Sequence, residues 1–195
     1  MNSSQYKNNN IVLSVYKDAR TVYRLKDIAM LTGENNFQSL NKKLNYAIRT
    51  GKLQNPRKGI YTKPDYSKEE LACTIYTPSY ISLEYVLQKA GILFQYDSRI
   101  TIISYLSRKI DIEDNIYMYR KIKGEIHANT AGIIRQNNQV NIASAERAFL
   151  DLLYLDANYY FDNLNSLNRG KVRELLAIYY SNALTKRVNK LFPND

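Results

Sequence analysis

The sequence predicts an α+β protein: an N-terminal winged helix-turn-helix over residues 1–66, then a small α+β unit over residues 67–195 with a mainly antiparallel sheet and C-terminal helices. Three observations predict it. Apolar residues recur at helical spacing in three short stretches before residue 50. A Pro-Arg-Lys-Gly sequence then marks a hairpin turn between two short runs. From Ile100 onward, short runs rich in Ile and Tyr alternate with polar breaks before strongly helical stretches end the chain.

Each element follows in order. Ile11, Val12, Val15 and Tyr16, preceded by the cap-competent Asn8-Asn9-Asn10, read as a first helix. Thr21-Val22-Tyr23 reads as a brief strand. Leu25, Ile28, Ala29 and Leu31 make one face of a second helix, which Thr32-Gly33 stops. Leu40, Leu44, Ala47 and Ile48 carry a third helix, ending at Gly51, and Leu53 to Lys63 reads as a hairpin with Pro56-Arg57-Lys58-Gly59 at its tip. Helix, strand, helix, turn, helix, hairpin is the order of a winged helix-turn-helix. Beyond it, Glu69 to Tyr76 reads as a helix, and Pro78-Ser79 opens another whose apolar positions Tyr80, Leu83, Val86, Leu87 and Ala90 end at Gly91. Ile100–Ile103, Ile110–Ile112 and Ile116–Tyr119 read as strands, with two more short ones at Ile133-Ile134 and Val140–Ile142. Ala145, Ala148, Phe149, Leu152 and Leu153 form an apolar helix face, and further helices follow around Val172–Tyr180 and Asn182–Leu191.

Composition narrows the function classes. The 195 residues are 45% hydrophobic, and no apolar run approaches the ~20 residues of a membrane span. Met1 to Asn10 is Asn- and Ser-rich and is read as carrying no export signal. A single cysteine, Cys73, leaves no internal disulfide, and a single histidine, His127, has no companions for a zinc site. A cytoplasmic protein without metal or cofactor is expected. No Gly-rich phosphate loop, nucleophile elbow or Cys-His pair occurs, so no catalytic residue is assigned. Asp111, Glu113 and Asp114 are close enough to raise a metal-dependent nuclease, yet Glu113-Asp114-Asn115 joins two strands and reads as a solvated turn. Glu146 and Asp151 flank the apolar face of their helix, with Arg147 set to pair with Asp151 at i,i+4.

Charge is unevenly placed. Residues 1–66 hold 12 Lys and Arg against 4 Asp and Glu, a balance of +8, which leaves +2 of the chain's +10 for residues 67–195. Such asymmetry is the footprint of a nucleic-acid-binding module. On the third helix, Gln38, Lys42, Asn45 and Arg49 cluster opposite the apolar face, and no Glu occurs between Asn35 and Lys63. Gln and Asn can pair with adenine, Arg with guanine, and Lys with guanine or phosphate. Asn36, Gln38, Ser39, Asn41 and Lys42, in the N-terminal half, are the candidate base readers, and Asn45 and Arg49 the backbone contacts. Arg57 and Lys58 would reach flanking phosphates, or Arg57 a narrow minor groove. Arg108, Lys109, Arg120, Lys121 and Lys123 are a further basic group, able to extend a DNA surface, face an acidic partner or solubilise a sheet edge.

The segments "LKDIAMLTG", "GKLQNPRKGIY", "PSYISLEYVLQKAGI" and "ERAFLDLLYL" resemble, in content and order, the AbiEi-type abortive-infection antitoxins. The resemblance covers about four-fifths of the chain and implies two things. The N-terminal winged helix would bind double-stranded DNA at its own promoter as an autorepressor. The C-terminal unit would neutralise a cognate nucleotidyltransferase-like toxin. Arg24 departs from the pattern by standing where a Ser or Thr cap is typical, and Glu34-Asn35-Asn36 lengthens the turn. The alternative is a stand-alone winged-helix regulator whose C-terminal unit senses a ligand or oligomerises.

Overall fold

The computed structural model describes residues 10–193 and is an α+β fold with mostly antiparallel strand pairing. The chain begins with α1 (Ile11–Lys17), β1 (Val22–Arg24), α2 (Leu25–Thr32), α3 (Phe37–Arg49), β2 (Gln54–Arg57) and β3 (Ile60–Thr62). Asn8 and Asn9 of the expected cap lie outside the described residues, and Asn10 alone caps α1, its side chain accepting from Leu13 N–H. Gly33, at φ +67°, ends α2 in the left-handed conformation that glycine adopts without penalty. The three strands pair antiparallel in the order β1-β3-β2. One face of α3 delivers Leu40, Leu44 and Ala47 into a small core with Val15, Tyr23, Ile28 and Leu53. The expected four-residue hairpin tip is shorter in the structure. Pro56 and Arg57 belong to β2, the turn is Lys58-Gly59 with Gly59 at φ +79°, and the Asn55 amide donates to the carbonyls of Arg57 and Ile60.

The remainder comprises α4 (Lys68–Ile75), β4 (Ser79–Ile81), α5 (Glu84–Lys89), β5 (Ile100–Ser104), β6 (Arg108–Ile112), β7 (Asn115–Lys121), α6 (Gly124–Ala128), β8 (Ile133–Arg135), β9 (Asn141–Ala143), α7 (Ala145–Leu155), α8 (Arg169–Leu176), a single 3₁₀ turn at Ala177–Tyr179, and α9 (Asn182–Leu191). Six strands form one sheet in the order β6-β7-β5-β4-β9-β8, with β5–β7 and β4–β9 parallel and the other pairs antiparallel. The helix expected from Pro78 to Ala90 is instead a strand and a shorter helix. Ser79, Tyr80 and Ile81 pair with β5 on one side while Ile81 pairs with β9 on the other. Residues 79–83 are all buried, and an apolar run buried on every side carries no periodicity that separates strand from helix. Leu83, at φ +60°, turns the chain before α5 begins. The five-residue α6 had no counterpart among the sequence expectations.

The two parts are joined along β1 and α4. Val22 and Ile60 belong to the large core with Leu71 and Ala72 rather than to the small one. The buried Glu70 carboxylate accepts the N–H groups of Thr21 (2.6 Å) and Val22 (3.0 Å). Arg24, anomalous as a helix cap, donates through its guanidinium to the Thr74 carbonyl and to Thr77 Oγ1 (2.9 Å), so it serves the C-terminal turn of α4. The N-terminal turn of α2 is served by Asp27, whose carboxylate accepts from Arg24 N–H at 2.8 Å.

Arg147 and Asp151 form the i,i+4 pair that their spacing predicts, both side chains 0% exposed, and Glu146 and Asp151 do not flank the core but are buried in it. Arg147 donates to Asp151 Oδ1 (3.2 Å), the Tyr80 hydroxyl (3.1 Å) and the carbonyls of Ile126 (2.7 Å), Asn129 (3.3 Å) and Ala131 (2.9 Å). Ser82 and Tyr179 donate to the Asp151 carboxyl at 2.8 and 2.6 Å. Burial pushes that carboxyl up, against the opposing pull of Arg147. Replacing one member of a buried pair strands the other, so Arg147→Met should cost about 3–5 kcal/mol in urea unfolding. Adding Asp151→Leu should recover only part of the loss, because the Ile126 and Ala131 carbonyls still lack a donor; full recovery would contradict the network's role.

Candidate nucleic-acid interface

The polar stripe of α3 lies outside the core. Gln38, Lys42, Asn45 and Arg49 are exposed and Asn41 is half-buried. Among the described residues, Gln38, Asn41, Lys42 and Asn45 make no side-chain hydrogen bond or ion pair. Arg49 stacks over the Tyr46 ring, its guanidinium carbon 5.5 Å from the centroid. Asn36 is committed locally: it caps α3, accepting from the N–H groups of Gln38 and Ser39, each at 3.0 Å. Ser39 is half-buried and donates toward Glu34 at 3.4 Å. Glu34 also binds Lys43 at 2.8 Å, and that ammonium holds the Glu34 carboxyl below its usual range. The longer turn therefore supplies the acid that neutralises Lys43, a residue off the stripe, and leaves Lys42 unpaired.

The N-termini of α2 and α3 and the Lys58-Gly59 turn meet in one shallow groove. Arg24, Lys26, Phe37, Arg57 and Lys58 line it with Leu25, Gly59, Ile60 and Ile75. Four cations and no carboxylate form this wall. Phe37 is 51% exposed, an apolar platform among the cations. Lys26 and Phe37 carried no signal of their own in the sequence, because only the fold brings them into one groove with Arg57.

The register of the large sheet sorts the second basic group. Ser104, the last residue of β5, opposes both Ser79 and Lys121, which marks the sheet end next to Thr77 and its Arg24 contact. Arg108 is directly opposite Tyr119, whose hydroxyl donates to the Ala72 carbonyl of α4, so Arg108 shares the α4 face and donates to the Tyr76 hydroxyl at 3.3 Å. Lys121, two residues beyond Tyr119, is on that face too. Burial pushes the Tyr119 hydroxyl up, and Arg57 is close enough to act in the opposite direction. Arg108 and Lys121 thus lie at the same end of the molecule as the groove. Arg120 faces the other side of the sheet. Lys109 is paired with Asp111 at 3.2 Å and Lys123 with Glu125 at 2.8 Å.

The acidic trio occupies the opposite end of the sheet. Glu113 and Asp114 form the turn between β6 and β7, and Glu113 accepts from the Tyr66 hydroxyl at 3.0 Å. Among the described residues no group of three His, Cys, Asp or Glu side chains is placed to hold a metal ion. Burial pushes the Cys73 thiol up to about 11. No helix among the described residues is long and apolar enough to cross a membrane. No protein-family model matches the chain, and no curated protein matches it.

The cap assignment separates two roles for Asn36. Asn36→Ala should lower stability by about 1 kcal/mol, while Asn36→Asp, which keeps the cap acceptor, should leave it nearly unchanged. Urea unfolding checks both, and an unaffected Asn36→Ala protein would show that the cap contributes nothing.

Proposed function

We propose that this protein is a sequence-reading, double-stranded-DNA-binding regulator that represses its own promoter, with residues 1–66 acting as a winged helix-turn-helix. The observation that carries the reading is the acid-free groove joining the N-terminus of α3 to the β2–β3 turn beside an α3 stripe of unpaired Gln, Asn and Lys. In this reading α3 enters the major groove, Gln38, Asn41 and Lys42 meet base edges, and Asn45 and Arg49 meet the backbone. Asn36 and Ser39 hold the start of the helix in place. Arg57 and Lys58, on the wing, neutralise flanking phosphates.

The antitoxin role rests on the resemblance of the quoted motifs, and a cytoplasmic location accompanies it. In that role residues 67–195 neutralise a nucleotidyltransferase-like toxin. Because Val22, Ile60 and Glu70 are shared across the junction, the test of the division uses the whole chain rather than fragments. Gln38→Ala with Asn41→Ala should abolish repression of the native promoter and leave protection against the cognate toxin intact. Loss of protection along with repression would refute the division.

DNA binding itself is tested by salt titration on a duplex from upstream of the gene. Affinity should fall with a log-log slope of about −0.9 per phosphate contact. Arg57→Ala with Lys58→Ala should flatten that slope by about 2 and weaken specific and random duplexes alike. Gln38→Ala or Asn41→Ala should instead cost about 1–3 kcal/mol on the specific duplex alone. A salt-independent affinity would contradict the reading.

A further inference from the structure

We propose that the β8–β9 hairpin is a second DNA-contacting arm, placed beside the groove so that one duplex meets both; this rests on the DNA-binding reading above. Its composition matches the α3 stripe. Between Ala128 and Ala145 the only charged residue is Arg135, and the tip reads Arg135-Gln136-Asn137-Asn138-Gln139. These are the side chains that reach phosphates and base edges. Arg135, Gln136, Asn137 and Gln139 are all exposed.

The tip is a defined turn. Gln136 N–H donates to the Val140 carbonyl at 2.8 Å, and Gln139 N–H to the Gln136 carbonyl at 2.9 Å. Gln139 takes φ +67°, a conformation uncommon for a residue with a Cβ. Asn138 Oδ1 accepts from Val140 N–H at 3.3 Å. The base is equally fixed. Ser144 N–H donates to the Gly132 carbonyl at 2.7 Å, and Arg147 holds the carbonyls of Asn129 and Ala131 just before β8. Gly132, at φ +73°, has no room for a side chain: a Cβ there would stand 2.9 Å from Leu175 Cδ1. The arm therefore projects from the buried ion pair without slack, so little ordering entropy is lost when it meets a ligand.

Position decides what it meets. A cleft of about 320 Å³ separates the hairpin from the N-terminal part, and Arg135, Asn138 and Gln139 line it together with Arg20, Arg24 and Lys26. Arg24 and Lys26 also line the groove beside Arg57 and Lys58. A continuous basic path thus runs from the wing turn over the start of α2 to the hairpin. Arg20 is held by the Asp18 carboxylate at 3.0 Å, which leaves Arg24, Lys26 and Arg135 as the cations of the cleft, and the two carboxylates that line it are already used: Asp27 by Arg24 N–H, and Glu70 by the N–H groups of Thr21 and Val22. β8 is the edge strand of the sheet, and Arg135, Gln136, Asn137 and Gln139 of the arm are open to solvent. A polyanion fits a path lined by cations with amides between them.

The test is fluorescence anisotropy of the full chain on labelled duplexes from upstream of its gene, one of about one helical turn (~10 bp) and one of about two (~20 bp). Arg135→Glu and the double variant Arg135→Ala with Gln136→Glu are compared with the unaltered chain. The unaltered chain should bind the longer duplex at least several-fold more tightly. Arg135→Glu should lose about 10-fold on the longer duplex and reduce its salt slope by about 1, while the shorter duplex is bound as before. Circular dichroism and urea unfolding should be unchanged, because the substituted side chains are exposed. Equal binding of both duplexes by variant and unaltered chain would overturn the arm while sparing the DNA-binding reading. Absence of binding by the unaltered chain to either duplex would overturn both. Unaltered DNA binding with lost protection against the cognate toxin would make the hairpin a protein-docking surface and overturn its assignment to DNA.

Discussion

The guanidinium of Arg147 is the constraint around which the C-terminal part is arranged. It is fully buried, and its hydrogen bonds run to a strand (Tyr80), to its own helix (Asp151), to the end of α6 (Ile126) and to the loop before β8 (Asn129 and Ala131). Placing this charge in the core stabilises the fold only because its carboxylate and carbonyl acceptors surround it. Through Asp151 the same group reaches Ser82 and Tyr179. The segments that contain Tyr80 and Ser82 and that contain Arg147 and Asp151 therefore meet at one ion pair, and these four residues serve architecture. What the ion pair positions is at the surface: the loop it grips leads directly into the β8–β9 hairpin.

A second junction sets the N-terminal part against this frame. Glu70 takes the free N–H groups at the start of β1, and Arg24 caps α4 from the end of the same strand. With Val22 and Ile60 in the large core, β1 runs along α4 with its C-terminal end toward Thr77. That direction puts the start of α2, the β2–β3 turn and the start of α3 at one end of the sheet. The groove cations Arg24, Lys26, Arg57 and Lys58 and the basic residues Arg108, Lys121 and Arg135 then belong to a single end, although they are scattered along the sequence. The acidic β6–β7 turn is left at the other end.

Local chemistry was legible in the sequence, and adjacency was not. α1 and α3 follow from apolar spacing, the first with its cap at Asn10, and β5, β6 and β7 from short runs of Ile and Tyr. The face of α3 that carries Leu40, Leu44 and Ala47 was correctly separated from the face that carries Gln38 and Lys42. The stretch from Tyr80 to Ala90 misled because its helical spacing coincides with a strand buried on both faces, where periodicity carries no information. Pro56 misled because a register shift lets β2 continue through it to Arg57. The Arg147–Asp151 pair follows from its spacing, but Glu146 and Asp151 are buried and not at the flank, since a charged pair at i,i+4 has the same sequence whether solvated or enclosed. Lys26, Phe37 and Arg135 became interesting only once three elements distant in sequence were seen to share one groove and one cleft.

The central claim is that a single basic end of this molecule, built from α3, the β2–β3 turn and the β8–β9 hairpin, receives duplex DNA. Amide hydrogen exchange of the full chain, read by mass spectrometry with and without a duplex from upstream of its gene, tests it most directly. The account predicts added protection at residues 36–45, 57–60 and 135–140, with the β6–β7 turn at residues 112–115 unchanged. Protection confined to that turn or to α8 and α9, with none at the basic end, would contradict it.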